Sequence, residues 1–165
     1  MIRKILVGIV ILIVAIYGFG FTQSAQIRTE IEIDAPPEKV WAVLTDFASY
    51  PDWNPFIRKI EGIASVGETL NAEMHALHME SAQSFSPTVL VADKNKELRW
   101  LGRLLVPAIF DGEHIFRIEK TQTGSRLMND ENFRGILLLA FAMNDFIPSF
   151  DAANQALKKR VEAEQ

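Results

Sequence analysis

The chain has no cysteine, only three histidines and no surplus of positive charge. Without thiols it can build neither disulfides nor thiolate metal sites. Its 17 Lys and Arg residues against 21 Asp and Glu leave a net charge of -4. That balance excludes a general nucleic-acid binder, which needs a basic face to displace counterions. Repeats and low-complexity tracts are missing too. So are a G-x-S-x-G elbow, a phosphate loop, a dinucleotide fingerprint and a cysteine nucleophile. Gly18-Phe19-Gly20 falls within an apolar segment and has no such meaning. No cofactor is called for.

What is present is apolar. Hydrophobic residues make up 48% of the 165 and aromatics 10%, ample for one buried core. Met1-Ile2-Arg3-Lys4 is basic, and residues 5–21 then run without a charge. A spanning helix needs about 17 or more such residues and a signal peptide about 7–15. The segment is therefore read as a membrane anchor, with a cleaved signal as the alternative, since Thr22 and Ser24 suit cleavage after Ser24. The basic flank puts the N-terminus in the cytoplasm and the domain on the extracytoplasmic side. The expected organisation is an anchor or signal over residues 1–25 and one domain over residues 26–165.

Residues 26–34 alternate Ile27, Thr29, Ile31 and Ile33 against polar partners, the period of a half-buried strand. Pro36, Pro37 and Glu38 open a short amphipathic helix carrying Val40, Val43, Leu44 and Phe47. Pro51 and Pro55 interrupt regular structure after it. Residues 56–133 read as successive strands. One of them runs through Phe85, Pro87, Val89 and Val91, with Pro87 at its start or at a bulge. Residues 121–124 read as a hairpin turn. From Leu139 to Val161 apolar residues recur every three or four positions, predicting a long helix kinked at Pro148. The pattern defines an α+β domain.

The sequence Ile33-Asp34-Ala35-Pro36-Pro37-Glu38-Lys39-Val40-Trp41, followed by Asp46-Phe47 and Tyr50-Pro51-Asp52-Trp53-Asn54-Pro55, resembles the opening of the SRPBCC superfamily. That superfamily includes START, polyketide cyclase/dehydrase and birch-pollen-allergen-like proteins. Pro87-Thr88-Val89, Leu98-Arg99-Trp100, Gly112-Glu113-His114 with Phe116, and Glu131 with Phe133 and Gly135 continue the resemblance. Residues 150–154, Leu157, Lys158 and Glu162 resemble its last helix. The resemblance implies a helix-grip fold: a curved antiparallel sheet of about six or seven strands around a long C-terminal helix, with a cavity between them. It does not select a function, because this fold hosts carriers, cyclases and regulators alike.

The best polar constellation is His114, Glu131 and Asn129. A hairpin turning at residues 122–124 places His114 opposite Phe133 and Phe116 opposite Glu131, all on one inward face with Asn129. His114 and Glu131 are then diagonal neighbours. Such a pair can orient a ligand or act as acid and base; a self-satisfying structural pair is the plainer and favoured reading. Trp100, Phe85, Met74, Trp53 and Phe150 complete the candidate pocket, with ordinary core packing as the alternative for each. His75 and His78 point to opposite faces on a strand, so no metal site is expected. The segment from Leu104 to Phe110 and residues 136–141 are unusually apolar for loops, fitting a portal, a membrane contact or a lid over the cavity.

The leading expectation is a non-catalytic, membrane-tethered binder or carrier of a small hydrophobic molecule, a lipid among the candidates. The alternatives are a cyclase- or aromatase-like enzyme using His114 and Glu131, and a membrane assembly accessory protein. A protein partner is not specified by the sequence.

Overall fold

A computed structural model describes residues 2–163. Met1 of the basic N-terminal flank, and residues 164–165 of the expected domain, lie outside them. The apolar N-terminal segment is helix α1 (Ile2–Gly20), which buries only Gly20 against the rest of the chain. Its 19 residues extend about 28 Å at 1.5 Å per residue. This length and composition fit a signal anchor or a signal peptide.

Three residues later β1 (Ser24–Ile33) begins. Helix α2 (Pro37–Thr45) takes Pro37 in its first turn, where the missing N–H costs nothing, and buries Val40, Val43 and Leu44. Far from breaking the chain, Pro51 sits in the first turn of a short helix, α3 (Tyr50–Trp53). Eight strands follow the order β1, β2 (Ile57–Glu61), β3 (Asn71–Met74), β4 (Gln83–Phe85), β5 (Thr88–Asp93), β6 (Glu97–Leu104), β7 (Phe110–Lys120) and β8 (Ser125–Arg134) among the described residues. Helix α4 (Ile147–Ala163) ends the described residues.

The fold is α+β and helix-grip, with an antiparallel sheet packed on the C-terminal helix. Hydrogen bonding divides the strands into a five-stranded sheet, β1-β8-β7-β6-β5, and a three-stranded one, β2-β3-β4. Pro87 stands at the seam. The expected single strand from Phe85 to Val91 is two strands, β4 and β5, in different sheets, because Pro87 has no N–H for a continuous ladder. Its carbonyl instead accepts a hydrogen bond from Leu70 at 2.8 Å, which ties the two sheets together. One core of Ile27, Leu98, Trp100, Phe116, Phe150 and Leu157, with their neighbours, fills the space between sheet and helix.

Two further expectations are corrected. The last helix starts at Ile147, not near Leu139, so Pro148 lies in its first turn and kinks nothing. Residues 136–140 and 143–146 form two short 3-10 turns, and Leu139 is exposed. The β7–β8 hairpin closes at Lys120 and Ser125, two residues out of the expected register, because Thr121 caps its four-residue turn by accepting the N–H of Gly124. His114 therefore faces Glu131 directly, not Phe133, and Phe116 faces Asn129, not Glu131. Since the shift is even, every side chain keeps its face.

Candidate functional site

A cavity of about 260 Å³ opens between the five-stranded sheet, the start of β2, β3, β4 and the 3-10 turn that ends at Phe146. Its position follows from strand parity. Gly112 and His114 on β7, Trp100 and Gly102 on β6, and Glu131 and Phe133 on β8 all point inward. The Gly102–Gly112 pair supplies no side chains where the strands cross the cavity, and that leaves room. Gly112 does more. A Cβ there would stand 2.6 Å from a carboxylate oxygen of Glu131, so this glycine makes space for that carboxyl. From the other wall, Asn54 accepts the N–H groups of Phe56 and Ile57, both at 2.9 Å, fixing the turn that presents those two side chains.

At the inner end His114 is fully enclosed. Its ring stacks on Phe116 (centroids 4.3 Å apart) and on Phe150 of α4 (5.2 Å), with Trp100 tilted against it. Its Nε2–H donates to Asn129 Oδ1 at 2.6 Å. Asn129 Nδ2 donates to Asn154 Oδ1 at 2.8 Å, and Asn154 Nδ2 donates to Thr29 Oγ1 at 2.9 Å. The Thr29 hydroxyl closes the circuit on the Asn129 carbonyl at 2.6 Å. This chain joins β7, β8, α4 and β1, and every member of it is satisfied. It also sets the imidazole tautomer: with the proton on Nε2, the Nδ1 lone pair faces Glu131 Oε2 at 3.5 Å.

Burial governs both titratable groups. It lowers the His114 pKa to about 4, against the smaller opposing effect of the Asn129 hydrogen bond. It raises the Glu131 pKa to about 8. The 16% of the Glu131 side chain that stays accessible faces the cavity, not the outer surface. At neutral pH the pair is thus a carboxylic acid, able to donate a hydrogen bond, beside a neutral imidazole. An apolar pocket with one such donor suits an apolar molecule carrying a hydrogen-bond acceptor.

Of the ten sequence candidates, His114, Glu131, Phe133, Trp100, Phe85 and Met74 line the cavity. Phe116, Asn129 and Phe150 stand behind His114 and hold it. Trp53 is elsewhere: it packs on Tyr50 and donates its indole N–H to Ser49 at 3.2 Å. Leu104 and Phe110, from the segment read as a portal or lid, also line it, while sequence reasoning missed Phe56, Ile57, Gln83, Ser84, Ser86, Arg103, Phe146 and the two glycines as lining residues. The paired glycines inside strands were the available signal. His75 donates to the Met79 carbonyl at 3.0 Å and His78 packs edge-on against Phe146. Among the described residues no group of three or more metal-ligating side chains is assembled.

Known structures share the architecture. Protein MLL2253 from Mesorhizobium loti is 21% identical, with a TM-score of 0.67 over 86% of this chain and 99% of its own. The Zhui aromatase/cyclase from Streptomyces sp. R1128 is 13% identical, with a TM-score of 0.69 over 86% and 96%. Norcoclaurine synthase from Thalictrum flavum, solved with dopamine and hydroxybenzaldehyde, is 14% identical, with a TM-score of 0.63 over 87% and 89%. At these identities the likeness concerns the fold alone. A search of curated proteins found no match. The family match is broader: through residues 24–162, the whole of the sheet and nearly all of the last helix, the chain belongs to the family described as polyketide cyclase / dehydrase and lipid transport.

Proposed function

We propose that the protein is a membrane-tethered, non-catalytic binder of a small hydrophobic molecule bearing one hydrogen-bond acceptor. Binding of a small hydrophobic ligand is what the family implies. The observation that carries the finer reading is the contrast inside the cavity: walls of Phe56, Met74, Phe85, Trp100 and Phe133 lead to the enclosed polar pair His114 and Glu131, while the other polar lining residues, Gln83, Ser84, Ser86 and Arg103, belong to β4, the residue after it and β6. At about 260 Å³ the cavity lies just below the ~300–1,000 Å³ of drug-sized sites. It therefore suits a compact molecule or one end of a longer one. Helix α1 supports the tether, and its exposed apolar side chains have no other cover in the fold.

One observation favours a second reading, an enzyme of the cyclase or aromatase kind. A neutral acid and a neutral imidazole lone pair stand 3.5 Å apart inside the pocket, the arrangement general acid–base chemistry requires. The assignments separate on substitution. Glu131→Gln keeps a hydrogen-bond donor, so a binder retains its ligand, whereas an enzyme using that proton loses turnover.

The direct test is native mass spectrometry of the full-length chain extracted from its own host in mild detergent, followed by solvent extraction. A near-stoichiometric apolar compound with a carbonyl or hydroxyl group is the expected result. An empty cavity that also rejects a panel of lipids and aromatic ketones would overturn the binder.

A further inference from the structure

We propose that the apolar loops at residues 104–109 and 135–144 seat in the interfacial layer of a bilayer, so that the cavity opens onto lipid and exchanges its ligand there. The proposal rests on the reading of α1 as a membrane anchor, and deepens it by naming the surface that the domain presents.

Topology brings these parts together. Strand β1 starts, β6 ends, β7 starts and β8 ends at one edge of the five-stranded sheet, with Ser24 paired to Arg134 and Leu104 to Phe110. Both apolar loops leave from that edge, and α1 joins it through only three residues, 21–23. Such a link spans at most about 10 Å. Contacts confirm the closeness: a Cβ on Gly20 would collide with the Ala108 carbonyl oxygen and stand 3.3 Å from the Ile136 nitrogen. Gly135 donates its N–H to the Gln23 carbonyl, and Ile136 donates to Ala108. The two loops are thus bonded to each other and to the root of α1.

Their chemistry is unsuited to water. Residues 104–110 and 135–144 contain no charged side chain. Leu105 is 84% exposed, Leu139 66% and Phe141 53%, with Leu104 and Val106 about half exposed. Leu105 is also held at a φ of 64°, a left-handed conformation that a leucine adopts at a cost of about 1–2 kcal/mol. Neither folding preference nor solubility accounts for a leucine there. The opposite edge of the sheet is different: its turns carry Lys94, Asn95, Lys96 and Thr121. Arg134, at the end of β8, stands where its guanidinium meets lipid phosphates when the loops are seated.

The cavity is aligned with this edge. Leu104, Phe110 and Phe146 line its outer part, Gly102 and Gly112 the middle, and His114 and Glu131 the inner end. A ligand entering past Leu104 and Phe110 would travel from acyl chains to the polar pair without crossing bulk water.

The absence of cysteine permits a clean test. Single-cysteine variants Val10→Cys, Leu105→Cys, Leu139→Cys and Lys94→Cys of the full chain would carry an environment-sensitive fluorophore in vesicles of phosphatidylcholine and phosphatidylglycerol. Nitroxide lipids labelled near the headgroup should quench the probes at positions 105 and 139 at least twofold more than the probe at 94. Deep-chain nitroxides should quench the one at position 10. Quenching at 10 with water-like probes at 105 and 139 would overturn the seated loops and leave the anchor standing. Quenching at 105 and 139 without quenching at 10 would support the loops and remove the anchor. Blue-shifted but unquenched probes at 105 and 139 would mean a protein covers the loops, and would overturn the proposal.

Discussion

The two ends of the cavity are built by opposite rules. At the inner end four polar side chains from four elements satisfy one another, and aromatic rings clamp the imidazole on both faces. At the outer end the loops carry apolar side chains into the open, held by backbone hydrogen bonds and one strained leucine. The inner end satisfies the hydrogen bonds of its His–Asn–Asn–Thr chain and defines what is recognised. The outer end contributes little to folding and defines where exchange takes place. A binder needs a rigid end for selectivity and a loose one for access, and here they lie on one axis.

Breaking the inner end gives the largest effect. Asn129→Ala removes the acceptor for His114 Nε2–H and the donor for Asn154, leaving two buried groups unpaired at about 1–3 kcal/mol each. A loss of about 2–5 kcal/mol in urea unfolding of the full chain, followed by tryptophan fluorescence, is expected. A loss below about 1 kcal/mol would mean that water replaces the amide and that the inner end is not closed.

The second effect is pH-dependent and has a defined sign. The Glu131 pKa rises from 4.5 to about 8 on folding, so the folded state holds a proton that the unfolded state has released between those values. Its contribution is greatest below pH 4.5 and is lost as pH rises to about 8. His114 acts in the other direction: lowered from 6.5 to about 4, it contributes fully above pH 6.5 and loses that contribution as pH falls toward 4. From pH 4.5 to 6.5 the two slopes oppose each other. Above 6.5 only Glu131 remains, so Tm should decline by several degrees between pH 6.5 and 8.5, a ΔΔG of the order of 1–2 kcal/mol. Glu131→Gln should flatten that decline and, by removing the opposing slope, leave the His114 dependence alone between pH 4.5 and 6.5, so that stability rises with pH there. An identical alkaline decline in the variant would show that the carboxyl ionises freely in a water-filled cavity.

How much of this was legible in the sequence depended on the kind of signal. Period-two alternation around His114, Phe116, Asn129 and Glu131 placed all four on one face, and a two-residue error in register could not move them off it. The direct His114–Glu131 pairing was hidden, because it depends on which residue caps a four-residue turn, and Thr121 did not stand out. Pro87 and Pro148 were both visible; Pro87 does stand at the start of a strand, β5, but Phe85 before it belongs to another strand, and Pro148 was misplaced inside the last helix. A proline marks a discontinuity but does not say whether it lies at a seam between sheets, as Pro87 does, or in the first turn of a helix, as Pro148 does. Trp53 looked like a pocket residue by type alone, yet its position is set by the Tyr50 ring and Ser49, contacts that no periodicity encodes. The apolar loops were conspicuous as composition. That they share an edge with the root of α1 is a property of strand direction, legible only once the strand order is known.

The smallest effect sharpens the comparison from the outer end. Leu105→Gly relieves the left-handed strain at position 105, about 1–2 kcal/mol, while adding about 0.5–1 kcal/mol of backbone entropy to the unfolded chain. Little buried surface is lost, since the side chain is 84% exposed. The fold should be unchanged or stabilised by no more than about 1 kcal/mol, against the large loss at Asn129. The same substitution removes the most exposed leucine of the loops, so a probe at position 139 should be quenched less by headgroup nitroxides. A residue that costs the fold something and whose removal loosens the domain from lipid is kept for the surface it meets. A destabilisation of more than 1 kcal/mol would instead make Leu105 a packing residue, and the two ends of the cavity would no longer differ in kind.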